Sequence, residues 1–192
     1  RNSQHAFSDR MQEGAMDAMK RCMALISVLS LLFLAAACFS AVVYGRNNAV
    51  SQRISQRILS NALQLYQSTK ALGEDAASEI PAETHIPGLA SAANGILADA
   101  EVYEMLHPRE QLCLKEIASD VVKALQIMRY GAQSGEAEGL LKELCGYLNY
   151  DNVYDNLDQT KSGEILKEMN AAMAAQMQEG YYQLHLRFAA LH

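Results

Sequence analysis

The most apolar stretch of the chain is residues 22–45, a run of 24 residues without a charged side chain between Arg21 and Arg46. A helix of that length, at about 1.5 Å per residue, crosses a hydrocarbon core about 30 Å thick with some tilt. A cleaved signal peptide has an apolar core of only about 7–15 residues, so the longer run indicates a retained anchor. The pattern predicts a juxtamembrane tail at 1–21, a transmembrane helix at 22–45 and a soluble domain at 46–192.

Two amphipathic helices are predicted after the apolar run, because apolar residues there recur every three or four positions. The first continues the transmembrane helix and ends at Gly73, and residues 73–85 form a polar loop. The second has an N-cap near Thr84, carries Pro87 in its first turn and ends before Pro108. The apolar stripe of the first is Val50, Ile54, Ile58, Ala62 and Leu65, and that of the second is Ile86, Leu89, Ala93, Ile96, Leu97, Ala100, Tyr103 and Leu106.

The rest of the chain predicts a third long helix at 109–131, a short helix at 137–148 and a regular last helix. Residues 149–159 are rich in Asn and Asp, whose side chains compete with helical hydrogen bonds, and are predicted to form a loop. The last helix keeps its spacing over about four heptads, so we expect it at the centre of the bundle. The third stripe is Leu114, Ile117, Val121, Leu125 and Met128, and the last is Leu166, Met169, Met173, Met177, Tyr181, Leu184, Phe188 and Leu191.

The composition supports helices and gives little from which to build a sheet. Half of the residues are apolar, only three are Pro, and Trp is absent. The abundant Ala, Leu, Met, Gln, Glu and Lys are good helix formers, whereas β-branched residues do not group in alternating runs. The sequence therefore predicts an all-α fold, with a single N-terminal transmembrane helix followed by an antiparallel helical bundle of three long helices and a short one.

The soluble domain is acidic, since residues 46–192 carry 12 Lys and Arg against 19 Asp and Glu, a balance of −7. Such a domain repels phosphate backbones, so no nucleic-acid partner is predicted. Basic residues flank the apolar run on both sides, but Lys20 and Arg21 stand directly before it, and positive charge favours the cytoplasmic side. We therefore expect a single-pass protein of the plasma membrane with its soluble domain extracytoplasmic.

Three cysteines carry alternatives that the sequence leaves open. The segment from Leu34 to Cys38 resembles a bacterial lipoprotein cleavage site, although its leucine stands one place too early. The simpler interpretation makes Cys38 an apolar helix residue within lipid. Cys113 and Cys145 lie on neighbouring predicted helices, where they could form a disulfide outside the cell or remain core thiols in a reducing compartment.

Two groups of potential metal ligands occur, and neither is predicted to bind metal. Glu104 and His107 form one Glu-x-x-His motif, but a di-metal bundle needs that motif on two helices. The acidic segment from Asp151 to Asp158 lacks the central Gly and the alternating ligands of a calcium loop. Phosphate-binding glycine loops, nucleophile elbows and paired histidines are also missing from the sequence. No catalytic, cofactor-binding or metal residue is therefore predicted, and the chain is not expected to be an enzyme.

In order along the chain, several short motifs resemble the LemA-like membrane proteins of bacteria. They are Gly-Arg-Asn-Asn-Ala at 45–49, His-Ile-Pro-Gly-Leu at 85–89, Asn-Ala-Ala at 170–172, Gly-Tyr-Tyr at 180–182 and Leu-Arg-Phe at 186–188. The family has Ile-Pro-Asn-Leu where this chain has Ile-Pro-Gly-Leu. The resemblance implies a single-span membrane protein with an antiparallel helical domain and no established catalytic activity.

The leading functional hypothesis is a membrane-anchored helical scaffold or protein-interaction module of the cell envelope. It would contact the lipid bilayer through residues 22–45 and a protein partner, or a second copy, through its bundle. The alternative is an extracytoplasmic four-helix ligand-sensing domain of a truncated chemoreceptor or sensor kinase, with Tyr103, Tyr147 or Tyr181 lining a pocket between helices. The methionines of the last helix could form an adaptable partner groove, although methionine at helical spacing more often fills a core.

Overall fold

The computed structural model describes residues 2–74, 82–131, 133–154 and 158–192. The all-α prediction is confirmed, since these described ranges contain helices and turns and no β strand. The chain divides into two compact units, Arg1–Asn47 and Asn48–His192.

Helix α1 runs from Asn2 to Glu74 and contains the predicted transmembrane segment. Near the N-terminus this helix is long and apolar enough to cross a membrane. Its apolar side chains from Leu25 to Val42 are exposed, and Phe33 is 79% exposed. The predicted tail at 2–21 is helical as well, because a long helix propagates cooperatively once its first turns have formed.

Six further α-helices follow in the described part of the chain. They are α2 (Ile86–Leu106), α3 (Cys113–Tyr130), α4 (Ser134–Leu144), α5 (Asp151–Tyr154), α6 (Ser162–Gln176) and α7 (Tyr182–Ala190). Their apolar stripes meet in one core, whose largest fully buried side chains include Tyr103, Tyr181, Phe188, Ile58, Leu59, Leu65, Leu72, Leu89, Ile96, Leu114, Ile117 and Leu140. The predicted stripes account for most of this core. Val50 is exposed, at 45%, and five other stripe residues are only partly buried against the core, namely Ile86, Leu97, Leu106, Met128 and Met177.

Helices α1 and α2 pack antiparallel, with small or polar residues at the points of closest approach. A Cβ added at Gly88 would lie 3.1 Å from Ser68 Oγ, and one added at Gly95 would lie 2.5 Å from Asn61 Nδ2. Farther along the same interface, Arg57 forms an ion pair with Asp99, with 2.8 Å between Nη2 and Oδ1. Glycine is therefore needed at position 95 for close packing, since any larger side chain would displace Asn61.

We expect Gly95→Ala to destabilise the bundle and Gly139→Ala to stabilise it. Alanine favours a helix over glycine by about 0.5–1 kcal/mol, and nothing lies within 4 Å of a Cβ at Gly139. At Gly95 the clash with Asn61 outweighs that gain, with a net loss of about 1–3 kcal/mol. Urea unfolding of both variants measures the difference. Equal stabilisation by the two substitutions would contradict this packing.

The starts of α2 and α3 differ from the predicted ones. Thr84 lies in a 3₁₀ turn, Ala82–Thr84, and α2 begins at Ile86 with no side-chain cap. The N-cap position is therefore His85, one residue after Thr84, and its side chain makes no capping hydrogen bond, while Pro87 stands in the first turn as predicted and removes one N–H that would need a cap. Helix α3 begins at Cys113 rather than at residue 109, because Asn170 Oδ1 accepts the Cys113 N–H at 2.8 Å.

The last predicted helix is interrupted, and the predicted loop before it is partly helical. A π-helical turn, Met177–Tyr181, separates α6 from α7. Gly180 within that turn lies against the Tyr147 ring, since a Cβ there would be 3.0 Å from Tyr147 Oη, and glycine is a weak helix former. Upstream, Asp151–Tyr154 forms a short helix where a loop is predicted, while residues 155–157 lie outside the described residues. The predicted short helix begins earlier, at Ser134, and ends in a 3₁₀ turn, Cys145–Tyr147.

Candidate functional site

A buried polar cluster joins α3 to the π-helical turn and α7. Asp120 is 5% exposed and stands among the apolar residues of α3. Its Oδ2 accepts a hydrogen bond from Tyr181 Oη at 2.5 Å and lies 2.8 Å from His185 Nδ1. A carboxylate only accepts, so Nδ1 carries the proton and Nε2 of the same ring is the acceptor when His185 is neutral. Asp120 thereby fixes both the position and the tautomer of His185.

The electrostatics keep Tyr181 as a neutral donor. Burial raises its pKa, and the negative charge and hydrogen bond of Asp120 raise it further, with a smaller contribution from Glu116. Ionised tyrosine is excluded at any physiological pH, so the phenol stays protonated and bound to Asp120. The cluster is suited to holding helices in register and has no group poised as a nucleophile.

The π-helical turn borders a shallow opening next to this cluster. The opening has a volume of about 360 Å³ and is lined by Gly146, Tyr147, Gln176 and Gly180. The Tyr147 ring meets the Tyr181 ring edge to face, with 5.6 Å between centroids. A π-helical turn inside an α-helix is frequently found at functional sites. Of the three tyrosines expected to line a pocket, Tyr147 is the one that borders this opening.

Tyr150 lies close to the same opening and binds one of its lining residues. Its Oη donates to Gln176 Oε1 at 3.0 Å. Burial raises the pKa of Tyr150 to about 12, with a contribution from Cys113. The hydroxyl of Tyr150 is therefore a neutral donor that orients the Gln176 amide.

A second polar cluster surrounds Tyr103 at the C-terminal end of α2. Tyr103 Oη donates to Glu110 Oε2 at 2.7 Å, and Lys167 Nζ lies 2.9 Å from the other oxygen of Glu110. His107 stacks on Tyr103 with 4.5 Å between ring centroids, and its Nε2 is hydrogen-bonded to Ser51 Oγ at 2.7 Å. Burial and the neighbouring Glu110 both raise the pKa of Tyr103. This cluster links α1, α2 and α6. The Tyr103 hydroxyl is used in an internal hydrogen bond to Glu110.

The described residues of the two potential metal motifs are bound to other protein groups, and residues 155–157 of the acidic segment lie outside the described residues. Glu104 accepts a hydrogen bond from Lys115 Nζ at 2.6 Å, whereas His107 binds Ser51. Asp158 accepts from the backbone and hydroxyl of Thr160, and the hydrogen bonds from Thr160 lower the pKa of Asp158. Within the described residues, no group of three His, Cys, Asp or Glu side chains could hold a metal ion.

Cys113, Cys145 and the methionines of the last helix lie in or near the core, whereas Cys38 does not. Cys113 and Cys145 are both partly buried and are not joined by a disulfide, and burial raises the pKa of Cys113. Cys38 is an exposed free thiol on the apolar part of α1. The methionines of the last helix pack into the core rather than forming a groove, with Met169 and Met173 both 1% exposed.

Sequence reasoning missed the Asp120 cluster, although one signal was present. Asp120 interrupts an apolar stripe, directly before Val121, at a position that faces the core. Buried acids are rarely unpaired, so an acid in such a stripe predicts a buried partner on another helix. Nothing in the sequence identifies His185 and Tyr181 as those partners, because 61 residues separate Tyr181 from Asp120.

Comparison of the chain with protein-family models, with curated proteins and with solved structures finds no match in any of the three. The residues themselves therefore carry the functional argument.

Proposed function

We propose that this protein is a membrane-anchored helical scaffold or interaction module of the cell envelope, LemA-like in layout and without catalysis. Residues 22–45 anchor it in the plasma membrane, and the bundle binds a protein partner. The observation that supports this proposal is that the polar side chains of the two interior clusters already have partners within the bundle. Asp120 and Tyr103 in the interior are bound to other side chains, so a partner meets the surface of the bundle.

The surface of the bundle offers acidic groups to such a partner. Exposed carboxylates that form no ion pair with a described residue include Glu101, Glu116, Glu136, Glu164 and Glu168. Unpaired surface charge of one sign steers association with a partner of opposite sign. We therefore expect a partner with a basic contact surface.

Partner capture tests the proposal directly. The full-length chain, carrying an affinity tag, is cross-linked in intact membranes and purified under denaturing conditions. We expect specific protein bands that are lost when Glu101, Glu116, Glu164 and Glu168 are changed together to Gln. Recovery of no protein above background from wild-type membranes would overturn the proposal.

The extracytoplasmic placement makes a separate prediction about thiol labelling. Cys113 is a poor reporter, because its raised pKa and partial burial lower its thiolate population. We therefore expect an introduced cysteine at Ala172, which is exposed on α6, to react with a membrane-impermeant maleimide in intact cells. The background variant has all four native cysteines, Cys22, Cys38, Cys113 and Cys145, changed to Ser. Labelling that occurs only after lysis would place the bundle in the cytoplasm.

A ligand-sensing domain is the second candidate, and the opening beside the π-helical turn is the observation that favours it. Tyr147 borders this opening, whereas Tyr103 and Tyr181 are bound to carboxylates. A small molecule seated there would raise the melting temperature of the wild type and not of Tyr147→Ala. Absence of any such compound from a screen of envelope metabolites would argue against sensing.

A further inference from the structure

Two openings lie end to end between α2 and α3 on the surface of the bundle, and together they are named the α2–α3 groove. One part has a volume of about 390 Å³, and the second part has a volume of about 370 Å³. Leu97 and Ser119 in the first part lie one helical turn from Asn94 and Val122 in the second, so the two parts continue one another. From Ile86 to Glu104 the groove follows α2 for about 27 Å.

The half-buried apolar residues of the groove lie mainly in the second part, while the first part is mostly polar and contributes Leu97. Leu97, Val122, Ala90 and Ile86 are half-buried and belong to the layer that packs on the core. Side chains of this kind have apolar surface left to bury. An amphipathic helix of about five turns matches the length of the groove and would present a complementary apolar stripe.

The charges differ between the two ends of the groove. At one end Glu104 is neutralised by Lys115, with 2.6 Å between Nζ and Oε2, while Glu116 is exposed and forms no ion pair with any described residue. Glu101 lies close enough to Lys115 to help raise its pKa, which adds a further negative charge there. At the other end Arg129 lies over the Tyr130 ring, 5.2 Å from its centroid.

We propose that the α2–α3 groove binds an amphipathic helix of a partner protein, whose basic side chains lie against Glu116 and whose apolar stripe covers Leu97 and Val122. This inference rests on the proposed interaction function and adds the chemistry of the partner. Charge complementarity selects the occupant, because the acidic end repels anionic lipid and nucleic-acid phosphates and attracts Lys and Arg. The half-buried apolar residues require an apolar stripe rather than a uniformly basic segment.

The test uses the full-length protein in nanodiscs and a synthetic 18-residue helical peptide. The peptide carries leucine along one face and four lysines in its first two turns, and a scrambled peptide of the same composition lacks the apolar face. We expect the amphipathic peptide to bind, and we expect Glu116→Lys to weaken binding by about tenfold. The matched control is Glu136→Lys, which makes the same charge change on an exposed site of α4 and should leave the affinity nearly unchanged.

A steric variant separates the groove from general charge attraction. Ser119 is an exposed groove residue, so Ser119→Trp should fill the groove and abolish peptide binding without disturbing the core. Ala175→Trp places the same side chain at an exposed position on α6 and should bind normally. Equal binding of the scrambled peptide, equal effects of Glu116→Lys and Glu136→Lys, or normal binding by Ser119→Trp would each overturn the groove assignment. None of these results would contradict the proposed interaction function, which is tested separately by partner capture from membranes.

Discussion

Replacing Leu184 with Asp is expected to abolish cooperative unfolding of the bundle. Leu184 is 1% exposed, so the substitution removes a buried apolar side chain and places a carboxyl group without a partner in the core. Losing the side chain costs about 2–5 kcal/mol, and burying the polar group adds several more. A domain of this size has a stability of about 5–15 kcal/mol in total. Near-ultraviolet circular dichroism and hydrogen exchange of the full chain in nanodiscs measure the result.

The matched control is Leu186→Asp on the same helix. Leu186 is 44% exposed, so the same chemical change there should shift the free energy of unfolding by less than about 1 kcal/mol. Phe188→Asp should behave like Leu184→Asp, since Phe188 is fully buried. A normal melting transition for Leu184→Asp would mean that α7 is not part of the core.

The core could be predicted from the sequence because a helix with one buried face has apolar residues every three or four positions. Leu166, Met169, Met173 and Leu184 belong to one stripe whose members follow each other at steps of three or four, and all four are buried as predicted. The apolar run at 22–45 is equally local information, since lipid imposes its length requirement on consecutive residues. Both signals reside within one helix and need no knowledge of its neighbours.

Features that depend on another helix could not be predicted in the same way. The start of α3 is fixed by Asn170, which accepts the Cys113 N–H and donates from Nδ2 to the Gln111 carbonyl oxygen at 2.8 Å. The π-helical turn coincides with the contact between Gly180 and the Tyr147 ring. In each case, residues distant along the chain supply the energy that decides the local backbone.

At the candidate site, too, the features within one helix could be predicted and the contacts between helices could not. Sequence reasoning selected Tyr103, Tyr147 and Tyr181 as residues that could line a pocket between helices. Tyr147 borders the opening beside the π-helical turn, whereas Tyr103 and Tyr181 are buried in the core. Sequence reasoning could not predict that Tyr103 and Tyr181 are each hydrogen-bonded to a carboxylate. Glu110 lies in the connection after α2 and Asp120 lies on α3, so the pairings depend on how the helices pack. These hydrogen bonds to carboxylates make Tyr103 and Tyr181 part of the links between helices instead of ligand contacts.

We expect Asp120→Ala to lower the free energy of unfolding by about 3 kcal/mol. The substitution leaves the buried Tyr181 hydroxyl without an acceptor and removes the partner of His185 Nδ1. Unsatisfied buried hydroxyl groups cost about 1–3 kcal/mol, and the lost contacts and the small cavity add to that. Glu116→Ala, one turn earlier on the exposed side of α3, should change stability by less than about 0.5 kcal/mol.

A double-mutant cycle distinguishes a specific link from general loss of packing. Tyr181→Phe removes only the hydroxyl group, and in the Asp120→Ala background that group has already lost its acceptor. The second substitution should therefore cost less there than in the wild type, with a coupling energy of about 1 kcal/mol or more. Urea unfolding of the four proteins gives this energy. Strict additivity would show that Asp120 and Tyr181 stabilise the bundle independently, so that the helices are held in register by packing alone.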